Sequence, residues 1–141
     1  MKLSLKDKGM KIDLGKNRFT SEEIIAFAKR NDPLDFHLSY KAAKKSRFKG
    51  LVTSGGQAFN FFYVHRWVPK YGDTVEAGLG IDNWNFITPI YADQEVNCNC
   101  QMATLTETSK KDEIIVDWYF QFSNIAGQLY QELTLKVLHK N

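Results

Sequence analysis

The segment GGQAFNFFYVHRWVPKYG, residues 55–72, constrains the fold more than any other part of the chain. Its pattern predicts a helix with almost no polar face, which Pro69 and Gly72 end, and a helix that is apolar all round has to be buried. Thr53 or Ser54 is expected to cap its N-terminus. The rest of the chain must therefore fold around this helix.

After residue 72 the hydrophobic pattern takes the two-residue period of β-strands. Four segments show it: TVEAGLGIDNWNF, EVNCNCQMATLTE, EIIVDWYFQFSN and QLYQELTLKVLHK. A helical first half followed by an antiparallel meander favours an α+β fold, in which an antiparallel sheet wraps around one long, buried central helix. With 141 residues, of which 43% are hydrophobic, the chain is expected to form a single domain over residues 1–141.

The segment FTSEEIIAFAKRND predicts a short helix before the central one. Thr20 is its expected N-cap, and Glu23 completes a capping box. Pro33 excludes helical geometry at the residue before it, so Asp32 is expected at the exit of this helix. A second short helix is predicted in LSYKAAKKS, with Ser39 as its cap.

Asp32 and His37 form the candidate catalytic pair, because the loop between them could hold a carboxylate and an imidazole around one water molecule. Asp35 is a rival carboxylate, and the spacing does not decide which aspartate turns inward. The alternative interpretation is purely structural: an aspartate before proline is common at helix exits. Two further histidines are expected to lie outside the site, with His65 packed or interfacial and His139 facing solvent.

Ser54, Gly55 and Gly56 precede the central helix, where unpaired backbone N–H groups could meet the oxygen of a carbonyl gaining negative charge. Capping and tight turning would also explain these three residues. Ser54 is not assigned as a nucleophile, because its surroundings lack the G-x-S-x-G pattern of a nucleophile elbow.

Charge and composition exclude several classes of function. The net charge of +3 is spread over the chain, so no nucleic-acid partner is expected. The basic segment KAAKKSRFK is interpreted as a solvated helix face, or alternatively as a landing site for a phosphate-bearing ligand. No apolar stretch is long enough to span a membrane and no signal peptide is recognised, which predicts a cytoplasmic protein. Cys98 and Cys100 are expected to be unpaired core residues, and neither a metal nor a cofactor is expected.

The segment DPLDFHLSYKAAKKSRFKGLVTSGG resembles the MaoC-like dehydratases of the hotdog fold, and especially the (R)-specific enoyl-CoA hydratases. The stretch NWNFITPIYADQEV is similar to the part of that family after its central helix, so the resemblance runs from Phe19 to Val96. It departs from those hydratases at Leu34 and Asp35, where they have Asn and Pro. It departs again at Asn60, near where they have Ser.

This resemblance implies a reversible addition of water to a trans-2-enoyl thioester of coenzyme A or an acyl carrier protein, as in fatty acid metabolism. Asp32 and His37 would hold and deprotonate the water, and the amide of Gly55 or Gly56 would polarise the thioester carbonyl. Phe59, Asn60 and Trp84 are candidates for the acyl pocket, although a core role is the alternative for the aromatic residues. The resemblance also implies a homodimer or a dimer of dimers.

Two other functions are weighed against the hydratase. A hotdog thioesterase would use a carboxylate to direct water at the carbonyl carbon, and the spacing of Asp32 and His37 argues against it. A non-catalytic hotdog protein would bind an acyl ligand or act as a dimeric partner. Leu34 and Asp35 are the departures that keep this second alternative open.

Overall fold

A computed structural model describes residues 2–141 of the chain. The helices are α1 (Ser21–Asn31), α2 (Asp35–Leu38), α3 (Tyr40–Lys45), α4 (Gln57–Phe62) and α5 (Val68–Tyr71), with a π-helical turn over Tyr63–Trp67 joining the last two. The strands are β1 (Lys11–Arg18), β2 (Val75–Phe86), β3 (Glu95–Glu107), β4 (Glu113–Ser123) and β5 (Leu129–Lys140). Short 3₁₀ turns cover Leu5–Asp7 and Gly72–Thr74.

The sheet has five antiparallel strands in the order β1-β3-β4-β5-β2. The four strands predicted from the two-residue period are confirmed to within one residue at each end. Alternate side chains of β3, β4 and β5 are buried, as a sheet covered on one face requires. The α+β class and the hotdog arrangement of sheet and helix predicted from the sequence are confirmed.

Strand β1 was not predicted, because its sequence KIDLGKNR gives almost no hydrophobic alternation. Only Leu14 is buried, and the pairing with β3 shifts register between Asp13 and Lys16. Gly15 lies in this irregularity with φ of +83°, a left-handed conformation that glycine adopts readily. The first half of the chain is therefore not purely helical, and the meander of β3, β4 and β5 is flanked by β1 on one side and β2 on the other.

The N-terminal helix agrees with the prediction. The Thr20 side chain accepts a hydrogen bond from Glu23 N, and the Glu23 carboxylate accepts one from Thr20 N, which is the expected capping box. Asp32 follows the helix with φ of −163° and ψ of 69°, outside helical geometry, because Pro33 comes next. The cap of α3 is also confirmed, since Ser39 Oγ accepts a hydrogen bond from Ala42 N.

The central helix runs over residues 57–71 and is buried along one side only. Ala58, Phe62 and Trp67 are fully buried against the sheet, whereas Val64 and Val68 are exposed. The prediction of a helix buried all round is therefore wrong for a single chain. The predicted cap is wrong as well: Gly56 is the N-cap and no side chain caps the helix. Ser54 contributes only its carbonyl, which accepts a hydrogen bond from Gln57 N.

His139 is fully buried, and the prediction that it faces solvent is wrong. It continues the inward face of β5 after Leu135 and Val137, so the two-residue period already assigned it to the core. Cys98 and Cys100 are confirmed as unpaired, buried residues of β3. Burial raises the pKa of both thiols, so they are held in their neutral form.

Candidate active site

Asp32 and His37 are brought together by a tight exit from α1. After Pro33 the chain enters the single-turn helix α2, which was not predicted, and this turn carries His37 back toward the end of α1. His37 Nε2 lies 3.2 Å from Asp32 Oδ2. Asp35 is exposed at the start of α2. The structure thus resolves the choice that the spacing left open, since Asp32 is the carboxylate that meets the imidazole.

The other ring nitrogen of His37 is fixed by the backbone. His37 Nδ1 lies 2.8 Å from the carbonyl oxygen of Val52. A carbonyl only accepts hydrogen bonds, so Nδ1 carries the proton and donates it. In the neutral ring Nε2 is then an unprotonated acceptor that faces Asp32, and the Asp32–His37 contact needs one further proton to become a hydrogen bond.

His37 lies in the wall of a cavity of about 270 Å³. Phe36 packs beside His37 with ring centroids 4.4 Å apart, and Phe48 packs on Phe36 at 5.3 Å. The hydroxyl of Tyr91 donates a hydrogen bond to Phe48 O over 2.6 Å, which fixes this wall to the loop after β2. His37 is 5% exposed, so its imidazole is largely shielded from bulk water.

Gly55 lines the same cavity, in the turn that precedes the central helix. The N–H groups of Gly55 and Gly56 donate no hydrogen bond to any residue in the range 2–141. A Cβ atom on Gly55 would lie 2.6 Å from Cζ of Phe86, so the absence of a side chain lets this ring approach the turn. Ser54 is 1% exposed and its Oγ has no hydrogen-bond partner among the described residues. One of the two unpaired amides, that of Gly55, therefore belongs to a residue in the wall of the cavity that His37 lines.

The three residues predicted for the acyl pocket lie outside the wall of this cavity. Phe59 packs edge-on against Phe120 and Trp84, with ring centroids 5.3 and 5.5 Å away. Trp84 Nε1 donates a hydrogen bond to Gln131 Oε1 over 3.4 Å. Asn60 is exposed. Their contribution to acyl binding stays a prediction. Within a single chain, Trp84 is connected to the cavity indirectly, by its hydrogen bond to Gln131 in the wall.

A second, wider cavity of about 630 Å³ separates α1 from the central helix. Asn60 and His65 lie in its wall, together with Arg30 and Gln57. His65 is exposed here, so the prediction of a packed histidine is wrong for a single chain, and an interfacial role stays a prediction.

The sequence did not predict several residues of the first cavity. Phe86, Thr88 and Gln131 reach the cavity because β2, the loop after it and β5 return to the start of the central helix, which no local pattern gives. Phe36 and Phe48 belong to α2 and to the loop after α3, which fold over the same cavity. Within residues 2–141, no group of three or more His, Cys, Asp or Glu side chains is placed to hold a metal ion. Across the same residues, no helix combines the length and the apolar character that a membrane span needs.

Comparison with known proteins gives limited sequence similarity and extensive structural similarity. No family model matches the chain. A Bacillus subtilis (strain 168) protein, described as uncharacterized protein YdeM, is 32% identical over 81 residues. The match covers 56% of this chain and 57% of YdeM, so it spans little more than half of that relative.

Three solved structures are similar over nearly the whole chain. The MaoC-like dehydratase from Rhodospirillum rubrum is 27% identical with a TM-score of 0.85, and the match covers 99% of this chain and 98% of that one. The (R)-hydratase from A. caviae involved in PHA biosynthesis has a TM-score of 0.70 at 22% identity, with 99% and 98% covered. The C-terminally truncated HadBC (3R-hydroxyacyl-ACP dehydratase) complex from Mycobacterium tuberculosis has a TM-score of 0.77 at 15% identity, with 98% and 99% covered.

The last two structures are less than 25% identical to this chain, so they show a similarity of fold alone. The first has both a similar fold and a sequence that is 27% identical. The first and third are named as dehydratases and the second as an (R)-hydratase. This chain therefore has the hotdog fold and resembles the MaoC-like dehydratases.

Proposed function

We propose that the chain is an acyl-thioester hydratase or dehydratase, which adds water reversibly to a trans-2-enoyl thioester. One observation carries the proposal: Asp32 meets the free nitrogen of His37, whose other nitrogen is held by Val52 O, beside a cavity whose wall includes Gly55 with its unpaired amide. A general base, an orienting imidazole and an oxyanion site are the three groups that conjugate addition of water requires.

The reaction has a simple atom balance. The water oxygen bonds to the β-carbon of the enoyl group, one water proton passes to the Asp32–His37 pair, and the C=C π electrons move toward the thioester oxygen. The α-carbon then takes a proton from the same pair, which returns to its initial state. The 3-hydroxyacyl thioester dehydrates by the reverse sequence.

The glycine turn before the central helix supplies the oxyanion site. Negative charge builds on the thioester oxygen as water adds, and a preorganised backbone N–H stabilises that charge without reorganisation. Gly55 is the better candidate of the two glycines, because it lines the cavity with His37. Ser54 lies just before it and is outside the wall of the cavity, with a buried hydroxyl that no described residue pairs.

We also propose that the chain forms a homodimer through β2. This strand of 12 residues lies at one edge of the sheet, and Leu79, Ile81 and Phe86 on it are between 41% and 62% exposed. A long apolar edge is a template for pairing with another chain. Gly78 and Gly80 leave open space beside the strand, where a partner backbone could approach closely. The other edge, β1, is short, irregular and lysine-rich, which opposes such pairing.

The test measures loss of enoyl-thioester absorbance with crotonyl-CoA and longer trans-2-enoyl-CoAs. We expect Asp32→Asn and His37→Ala each to lower turnover about a hundredfold or more, the magnitude typical of losing a general acid or base. Asp35→Asn is the matched control, since it makes the same change three residues away on an exposed side chain and should retain turnover. A cytoplasmic location and the choice between coenzyme A and an acyl carrier protein are tested separately, by fractionation and by supplying both carriers.

Each outcome separates the alternatives. Equal loss of turnover in Asp32→Asn and Asp35→Asn would remove Asp32 from the mechanism. Wild-type turnover in Asp32→Asn or in His37→Ala would remove the substituted residue. Release of free thiol without hydration would identify a thioesterase. Binding of acyl-CoA without turnover, unchanged by Asp32→Asn, would identify a non-catalytic hotdog protein.

A further inference from the structure

Gln131 places an amide in the wall of the cavity that His37 and Gly55 line. It lies on β5, where it pairs with Phe86 of β2 and Phe122 of β4, and it is 4% exposed. Placing a polar amide in such a site is unfavourable unless its donors and acceptors are paired. A buried glutamine beside the proposed catalytic pair therefore needs a hydrogen-bond donor for its amide oxygen and an acceptor for its amide nitrogen.

Trp84 fixes the orientation of this amide. The indole N–H donates to Gln131 Oε1 over 3.4 Å, and an indole nitrogen only donates. Exchange of the amide oxygen and nitrogen would set two donors against each other, so the oxygen faces Trp84. Edge-on packing of Trp84 against Phe59 and Phe86, at 5.5 and 5.7 Å between centroids, holds the indole in place. The Nε2 group then has no hydrogen-bond partner among residues 2–141.

We propose that Gln131 Nε2 donates a hydrogen bond to an oxygen atom on the acyl group, so that the cavity selects short acyl chains carrying a neutral oxygen substituent. Trp84 acts as the positioning residue that turns the donor toward the ligand. The inference rests on the proposed function, because it assumes that the cavity beside His37 holds the acyl part of a thioester.

The composition of the cavity wall narrows the ligand further. Its volume of about 270 Å³ is at the small end of the range for ligand pockets, which suits a short chain. Most of the wall is apolar, including Phe36, Phe48, Val52 and Ile90. No Lys or Arg lies in the wall, so a desolvated carboxylate on the ligand would have no opposite charge. A hydroxyl, carbonyl or ether oxygen fits this wall, whose side-chain donors other than His37 are the neutral Gln131 amide and the hydroxyls of Thr53 and Thr88.

The test compares ligands that differ by one atom. Dissociation constants are measured by calorimetry for hexanoyl-CoA and for 4-methoxybutanoyl-CoA, in which an ether oxygen replaces the C5 methylene, and again for 5-hydroxypentanoyl-CoA, in which a hydroxyl replaces the terminal methyl. We expect the wild-type protein to prefer at least one oxygenated ligand about tenfold or more, as a buried donor left unpaired by the alkyl ligand requires. Gln131→Met, which keeps the length of the side chain, should abolish that preference.

Trp84→Phe is the second variant. It keeps an aromatic ring but removes the donor to Oε1, so the preference should shrink while Gln131 is retained. A purely structural role for the Trp84–Gln131 pair would change stability and leave the ratio of the affinities unmoved. Thermal unfolding of each variant reports folding separately from that ratio.

The outcomes are distinct from those of the proposed function. A preference for the oxygenated ligands that is lost in Gln131→Met upholds the inference, even if the matching enoyl-CoAs are not hydrated. Equal binding of the alkyl and oxygenated ligands by the wild-type protein overturns it, even if hydration occurs. Failure to bind any of these acyl-CoAs overturns the inference, whereas the proposed function is decided separately by hydration of enoyl thioesters on both carriers.

Discussion

His139 should make the stability of the fold depend on pH. Its ring is fully buried, and Trp118 Nε1 donates a hydrogen bond to its Nε2 over 3.0 Å. Nε2 is therefore unprotonated, and Nδ1 carries the proton, which it donates to Thr74 Oγ1 over 2.9 Å. A second proton on Nε2 would face the indole N–H directly. Protonation of His139 thus requires the loss of this hydrogen bond and the burial of a charge.

The size of the effect follows from the pKa. Burial lowers the pKa of His139 from 6.5 to about 4. The unfolded chain binds a proton near pH 6.5 while the folded chain stays neutral, so lowering the pH favours unfolding. The contribution of neutral His139 to the free energy of unfolding is complete above pH 6.5 and is lost progressively as the pH falls to about 4. At 1.36 kcal/mol per pH unit, the full loss is about 3 kcal/mol, and the loss between pH 7.5 and pH 5.0 is about 2 kcal/mol.

The perturbation is His139→Gln, which removes the titrating group. Urea unfolding followed by tryptophan fluorescence gives the free energy of unfolding of both proteins at one protein concentration and at several pH values. Other groups titrate in both proteins, so their effects cancel in the difference. The wild-type advantage should shrink by about 2 kcal/mol as the pH falls from 7.5 to 5.0. A difference that stays constant over this range would refute the assignment of a buried, neutral His139.

Two further predictions concern the glycine turn and the sheet edge. Gly55→Ala should displace the Phe86 ring, which lies 2.6 Å from the new Cβ position, and should weaken acyl-CoA binding in calorimetry. In Gly56→Ala the new Cβ atom meets its nearest neighbour at 3.9 Å, so the free energy of unfolding should change by about 0.5 kcal/mol or less. Light scattering of the wild-type protein should give twice the chain mass of 16.3 kDa, and the double variant Leu79→Lys/Ile81→Lys should give the monomer mass, because two charges on the apolar edge oppose pairing. A wild-type monomer at micromolar concentration would contradict the proposed dimer.

Local sequence patterns determined most of the secondary structure. The capping box of Thr20 and Glu23, the exit at Pro33 and the four alternating strands depend on interactions between near neighbours, which the sequence displays directly. The resemblance to the MaoC-like dehydratases also rests on two segments that can be read directly along the chain. The same patterns failed for β1, because one buried leucine in eight residues gives no period, and its pairing with β3 joins residues that are 77 to 90 positions apart.

The order of residues along the chain is enough to show an Asp and a His shortly before a glycine turn and an apolar helix. The folded chain is needed to show that Asp32, and not Asp35, faces His37, since this choice depends on the single turn of α2 and on the carbonyl of Val52. It is also needed to show that Gln131 lines the cavity and that His139 is buried against Trp118 and Thr74. These arrangements join residues that are distant along the chain, and burial with hydrogen bonding, which no local pattern specifies, holds them together.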